Sequence, residues 1–259
     1  MKVKDIASAL EEFAPLSVQE GWDNSGLSIG SPEDEVSGVL VGFDCTPELI
    51  DEAIEKGCNL VVTHHPLIFG GLKQIRPEDP VGCAVIKAIR GGIAVYSAHT
   101  TADKVRGGVS WEFAERLGLK DLRILDPEEG DTGLGIIGRF PEAKEPGEIV
   151  SLLKSVFGVS VVRASRPVEG LVQDVAFCGG SGSSLIGAAM KAGAQLYISA
   201  DISYHHFFTP EGFMIMDIGH FESEAHIAGT FVEELRKKFP TFAVRLSEKL
   251  EHSNPIYYY

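Results

Sequence analysis

Two adjacent histidines, His64 and His65, stand where the apolar run Asn59-Leu60-Val61-Val62-Thr63 gives way to Pro66. The run reads as a short buried strand, and a proline beyond it ends the ladder. Ligands in open α/β sheets bind outside the carboxyl ends of the strands, so the pair sits where chemistry is usually placed. Two later apolar runs end in the same way. Ile93-Ala94-Val95-Tyr96-Ser97 leads into Ala98-His99 and reaches Asp103 four residues on, and Met214-Ile215-Met216-Asp217-Ile218 leads into Gly219-His220 and reaches Glu224 four residues on. Imidazole is the commonest metal ligand, and carboxylates add hard oxygens and negative charge that balances a dication. The HxxxE spacing puts both side chains on one helical face, a turn apart. Gly219 allows a sharp backbone turn just before His220.

A single histidine in a core segment is ordinarily just hydrogen-bonded there. Four of the eight histidines at expected strand ends, with Asp103 and Glu224 close in sequence, point to a metal site instead. Five candidate ligands, His64, His65, Asp103, His220 and Glu224, exceed what one tetrahedral zinc needs. Two divalent ions sharing a carboxylate fit the count better, with Glu224 as the bridge. Paired metals about 3.5–4 Å apart are a recurring hydrolytic device that acidifies water and clamps substrate oxygens. The expected sorting is His65, Asp103 and Glu224 on one ion and His64, His220 and Glu224 on the other. These ligand types suit iron, zinc and manganese alike.

Further residues are candidates for supporting roles. His99 is expected to hydrogen-bond a ligand or the substrate. Asp201 and His205, four residues apart, are expected on the rim of the site; a surface pair, His205-His206, is the competing reading of the latter. His226 and His252 read as surface residues. Gly179-Gly180-Ser181-Gly182-Ser183-Ser184 resembles a phosphate-cradling turn, but it lacks the P-loop lysine and the full GxGxxG spacing, so a tight structural turn stands beside it. Trp22-Asp23-Asn24-Ser25-Gly26-Leu27 reads either as a turn capped by Asp and Asn side chains or as part of a pocket floor.

The elements that must position these residues repeat along the chain. Leu49–Thr63 aligns with Leu185–Ser199 at an offset of 185 − 49 = 136, with five of fifteen pairs identical. Each window follows a short strand, Val39-Leu40-Val41-Gly42 or Val175-Ala176-Phe177-Cys178. Each precedes a connector, a strand ending near His99 or His220, and a helical pattern. Strands alternating with helices imply an α/β fold, here two intertwined lobes built from an internal duplication, with mixed, mainly parallel sheets covered by helices. Gly57 and Gly193 fall where left-handed helix caps belong. The boundaries expected are 1–121 for the first repeat, 122–170 for an intervening strand-helix-strand segment and 171–259 for the second repeat. Within 122–170, Leu134–Gly138 and Val159–Val162 read as strands, Ile149–Phe157 as a helix and Asp126–Asp131 as a linker.

Composition narrows the function classes. Acidic residues exceed basic ones by 37 − 23 = 14, a field that opposes sequence-independent binding to nucleic-acid backbones. No apolar run approaches a membrane span. Asp5, Glu11 and Glu12 interrupt any signal-peptide core, so a cytoplasmic protein is expected. Cys45, Cys58, Cys83 and Cys178 form no CxxC pair and read as reduced core thiols.

At these motifs the chain resembles the Nif-three-like family, also known as GTP cyclohydrolase I type 2 homologues. The resemblance rests on Trp22–Leu27, Thr63-His64-His65-Pro66, Ser97–Asp103, the Cys178–Gly182 turn and Gly219–Glu224, in that order across nearly the whole chain. Ala102 stands before the aspartate where many relatives carry leucine. The resemblance implies two intertwined α/β lobes, a dinuclear metal centre held by His64, His65, Asp103, His220 and Glu224, and a toroidal homohexamer. A small-molecule, nucleotide-type substrate would then be hydrolysed through a metal-bridging hydroxide, for instance at the imidazole C8 of a guanine nucleotide. The alternative is a metal-binding regulatory or interaction protein without turnover. The aromatic tail Ile256-Tyr257-Tyr258-Tyr259 reads either as interface or as packed on its own subunit.

Overall fold

The computed structural model describes residues 1–259. The chain begins with α1 (Val3–Phe13), β1 (Gly26–Ile29), β2 (Val39–Val41), α2 (Pro47–Glu55), β3 (Leu60–Thr63), α3 (Pro80–Gly91) and β4 (Ala94–Ser97). The helical turn α4 (Thr100–Asp103) leads to α5 (Val109–Arg116), β5 (Lys120–Pro127), β6 (Gly133–Lys144), α6 (Pro146–Phe157), β7 (Arg163–Ala164) and β8 (Val172–Phe177). Then come α7 (Ile186–Lys191), β9 (Leu196–Ser199), β10 (Met214–Asp217), α8 (His220–Glu224), α9 (Ile227–Lys238) and β11 (Val244–Leu246). Two compact units result. The first combines Met1–Ala102 with Ile227–Pro255, and the second combines Asp103–His226 with Ile256–Tyr259. No helix is long and apolar enough to cross a membrane.

In the first unit the sheet order is β1-β4-β3-β2-β11. Strands β4, β3, β2 and β11 run parallel, and β1 pairs antiparallel at the β4 edge. Every residue of β2, β3 and β4 is buried, which is why these strands read as unbroken apolar runs without alternation. Helix α2 starts at Thr46, whose hydroxyl accepts from the Leu49 amide, and Pro47 takes the first-turn position where no amide is needed. Helix α3 uses Asp79 and Pro80 in the same way and stops at Gly92 in the left-handed region. Leu49, Ile50, Ala53, Ala84, Val85 and Ala88 from the two helices pack on Leu40, Val61 and Val95.

In the second unit the order is β5-β6-β8-β9-β10-β7. The parallel core β8-β9-β10 is extended on one side by the antiparallel strands β6 and β5 and on the other by β7. Val175, Phe177, Leu196, Ile198, Met214 and Met216 pack in one core, while Ala176, Tyr197 and Ile215 pack in another. That alternation buries both faces of the same three strands. The protein is therefore α/β, with two mixed sheets covered by helices.

Several expectations need correction. The second sheet is not mainly parallel, because the segment between the expected repeats adds the hairpin β5-β6 to the edge of β8. Asp126–Asp131 is accordingly the end of β5 and the tip of that hairpin, and not a linker. Val159–Val162 is not a strand; only Arg163-Ala164, just beyond it, pairs with β10. The compact units divide at residues 102/103, 226/227 and 255/256, a division by contacts rather than by repeats. The reason is that α9 and β11 return to the first unit, where β11 pairs with β2.

Candidate metal-ligand residues

Strand register gathers the candidate side chains within each unit. In the first, Thr63 of β3 lies opposite Ser97 of β4, so His64-His65 and Ala98-His99 leave the sheet side by side. Val41 of β2 lies opposite Val62, and this brings Asp44, three residues past β2, to His65. His64 and His65 both donate their backbone amides to the Phe43 carbonyl, at 3.1 and 3.2 Å. The ring nitrogens of His64, His65 and His99 lie within 4.8 Å of one another.

Each of the three rings is anchored through Nδ1. That of His64, whose side chain is fully buried, meets the Ala98 carbonyl at 2.9 Å. His65 meets Asp44 Oδ1 at 2.7 Å, and His99 meets Asp23 Oδ1 at 2.8 Å. A carbonyl or carboxylate oxygen only accepts, so Nδ1 donates in each ring. This is the arrangement that orients a histidine for metal ligation. Asp23 is further fixed by the hydroxyls of Ser25 at 2.8 Å and Thr100 at 2.6 Å and by the Thr100 amide at 3.1 Å. Burial alone would raise its pKa, but hydrogen bonds from His99 and Thr100 outweigh that and hold the carboxyl well below the usual range.

The second unit repeats the device. Ser199 of β9 lies opposite Asp217 of β10, and Asp201 and His220 emerge as neighbours. His220 Nδ1 meets Asp201 Oδ2 at 2.7 Å. Its Nε2 lies 3.0 Å from Glu224 Oε2, one turn along α8. Glu224 is buried, and a carboxylate oxygen of Asp103 lies within 4.8 Å of one of its own. Gly180 has a positive φ of 57°, and a Cβ there would stand 2.4 Å from Glu224 Oε1 and 3.2 Å from His220 Cε1. The Gly179–Gly182 turn therefore cradles a carboxylate, and its amides are engaged at home: Gly180 donates to Ser223 Oγ and Gly182 to Ser199 Oγ. Of the two readings of this motif, the structural turn is the one observed.

The remaining candidates lie as follows. Asp201 adopts a left-handed φ of 52° and accepts from Ser181 Oγ at 2.6 Å. Burial opposes its ionisation, but the hydrogen bonds from Ser181 and His220 lower its pKa overall. His205 is exposed, its ring edge-on to Tyr204. His252 is exposed, but His226 is not a surface residue. Its Nε2 donates to the Val109 carbonyl at 3.0 Å, its ring packs beside Phe113 and Phe157, and burial pushes its pKa down. Cysteine chemistry is disfavoured. Burial pushes the Cys45 thiol up to about 12, and burial together with the charges of Asp103 and Glu224 raises Cys178 further. Sequence reasoning passed over Asp44 and did not connect Asp23 to His99. Asp44 was findable, since it follows β2 as His65 follows β3.

Donors of this kind, imidazole nitrogens on anchored rings together with carboxylates, fit a divalent transition metal. Comparison with known proteins agrees with the motifs. A GTP cyclohydrolase 1 type 2 homolog of Clostridium perfringens is 36% identical over 242 residues, covering 92% of each chain. Another, from Lactococcus lactis subsp. lactis, is 34% identical over 264 residues, covering 99% of each. Among solved structures, a hypothetical protein of Staphylococcus aureus superposes with a TM-score of 0.92 at 26% identity, over 100% of this chain and 99% of that one. A Bacillus cereus protein related to NIF3 gives 0.93 at 24% identity with the same coverage, a likeness of fold. The family model described as Duf34/NIF3 (NGG1p interacting factor 3) matches residues 1–255, and the chain belongs to that family.

Proposed function

We propose that the protein is a dinuclear metal-dependent hydrolase whose ligands are His64, His65, Asp103, His220 and Glu224, with Glu224 shared by two divalent ions. The observation that supports the reading is the anchoring of the His64, His65 and His220 rings through Nδ1, which orients each imidazole as metal-ligating histidines are oriented. Glu224 is suited to be shared because His220 and Asp103 both approach it within its own unit. Iron, zinc and manganese all suit the donor set.

Bound dications would supply Lewis acidity and acidify water. The chain's own groups do the positioning: Asp44 and Asp201 hold the rings of His65 and His220, the glycine turn holds Glu224, and Asp23 holds His99 for hydrogen bonding to substrate. The substrate class we favour is a nucleotide-type small molecule, consistent with the name borne by the curated relatives. We further propose a homohexamer in a soluble, cytoplasmic setting and an internal duplication, the latter supported by the parallel runs β2-β3-β4 in one unit and β8-β9-β10 in the other.

The test is a turnover screen. Metal-loaded protein and its Glu224→Gln variant are assayed against nucleotides, phosphoesters and cyclic amides. Turnover that the variant loses supports the hydrolase. Stable metal binding with no turnover supports a metal-binding regulatory protein in its place.

A further inference from the structure

Trp22 and Phe69 are large aromatic side chains left mostly in solvent, 59% and 54% exposed. Their ring centroids lie 5.7 Å apart with the planes inclined at 37°. The His99 ring stands edge-on to both, at 5.9 Å from Trp22 and 5.7 Å from Phe69. The same ring lies 5.2 Å from His64 and 5.3 Å from His65. An exposed aromatic pair is thus continuous with the histidine donors of the first unit. The loops that carry it are built rather than loose. Asn24 Nδ2 donates to the Ile68 carbonyl at 2.6 Å and ties one loop to the other. Asp23, next to Trp22, takes four hydrogen bonds from Ser25, His99 and Thr100.

We propose that Trp22 and Phe69 form a stacking shelf for a flat heteroaromatic ring of the substrate, a purine-type base, placed beside the histidine donors. The proposal rests on the hydrolase reading and names the part of the substrate held away from the reacting bond. Stacking on an aromatic face accepts any base, because every base offers a π face. His99 adds a preference. Its Nδ1 is committed to Asp23, so Nε2 is the ring atom that can hydrogen-bond a polar edge of the base. A ringless phosphate handle is a poorer fit, since the carboxylates Asp23 and Asp44 lie among these histidines.

The test uses the full chain carrying Trp111→Phe, which leaves Trp22 as the sole tryptophan. Guanosine is the ring probe, and ribose 5-phosphate is the ringless control. Guanosine should quench Trp22 emission saturably, and ribose 5-phosphate should not. Phe69→Ala in that background should weaken guanosine binding by about tenfold. Calorimetry on the otherwise native chain, with Trp22→Ala as the second variant and circular dichroism to confirm folding, should show the same loss. Equal quenching by the two probes, or unchanged guanosine affinity in both variants, overturns the shelf. So does a fall in oligomeric mass in the variants with guanosine affinity intact, which would make the pair a contact between copies. Metal content read on the same samples separates the two readings. Full metal loading without guanosine binding rejects the shelf and leaves the metal centre standing, and guanosine binding by protein that takes up no metal does the reverse.

Discussion

His220 Nδ1 lies 2.7 Å from Oδ2 of Asp201, a residue that holds this position at a left-handed φ of 52°. Aspartate is among the few residues that adopt such a backbone readily, and the strand register of β9 against β10 delivers the two side chains together. Asp201 therefore acts on His220, fixing the orientation of its ring. Asp201→Asn keeps the backbone tolerance and removes the charge. Zinc affinity measured by calorimetry should fall by about 10–100-fold, while metal content at saturating zinc stays nearly intact. Unchanged affinity would remove Asp201 from the account.

Gly180 separates backbone strain from site geometry. Its positive φ penalises any side chain, and a Cβ would also collide with Glu224. Gly57 has a similar φ of 66° but open space around it. Gly57→Ala should cost about 1 kcal/mol and leave metal binding alone. Gly180→Ala should cost about 2–4 kcal/mol and lower metal content as well, since the buried carboxylate must move. Denaturation midpoints and metal analysis of the two variants check this, and equal behaviour would contradict it.

Asp23 carries a pH signature. Its pKa is depressed in the folded state, so its hydrogen bonds stabilise the protein above the ordinary aspartate pKa of about 3.9. That stabilisation is lost as pH falls toward the depressed folded value. Asp23→Asn should destabilise by about 1–3 kcal/mol at pH 7. The gap between variant and parent in urea unfolding should narrow as pH falls below about 4. A gap independent of pH down to pH 2.5 would show that Asp23 is not the charged anchor of His99.

Much of this arrangement was legible in the sequence. β3, β4 and β10 are short apolar runs buried on both faces, and their ends announce themselves by the histidines that follow. His220 and Glu224 fall on one helical face as their spacing requires. What stayed hidden depends on neighbours distant in sequence. The antiparallel character of the second sheet comes from β5-β6 docking on β8, which no local pattern encodes. His226 reads as a surface residue until Val109, Phe113 and Phe157 fold around it. Asp23 and Asp44 look like ordinary turn residues, and only the register of β2, β3 and β4 reveals that they face His99 and His65.

The thiols give an independent check on the chemistry. Cys178 is buried beside Asp103 and Glu224, and its pKa is pushed up by burial and by their charge. Iodoacetamide at pH 8 should leave it unmodified in the native protein and alkylate it after denaturation, as read by peptide mass spectrometry. Rapid alkylation in the native state would mean that Cys178 is a reactive thiolate and that the site's negative field is wrongly assigned.

The dinuclear centre is tested most directly by metal stoichiometry. Elemental analysis of the purified chain, reloaded with zinc and desalted, should give two equivalents per chain. The folded Glu224→Gln variant should retain one or none if, as proposed, one carboxylate would serve both ions. A parent chain that binds no metal, or a variant that keeps both equivalents, would contradict the shared role of Glu224 and with it the proposed hydrolase.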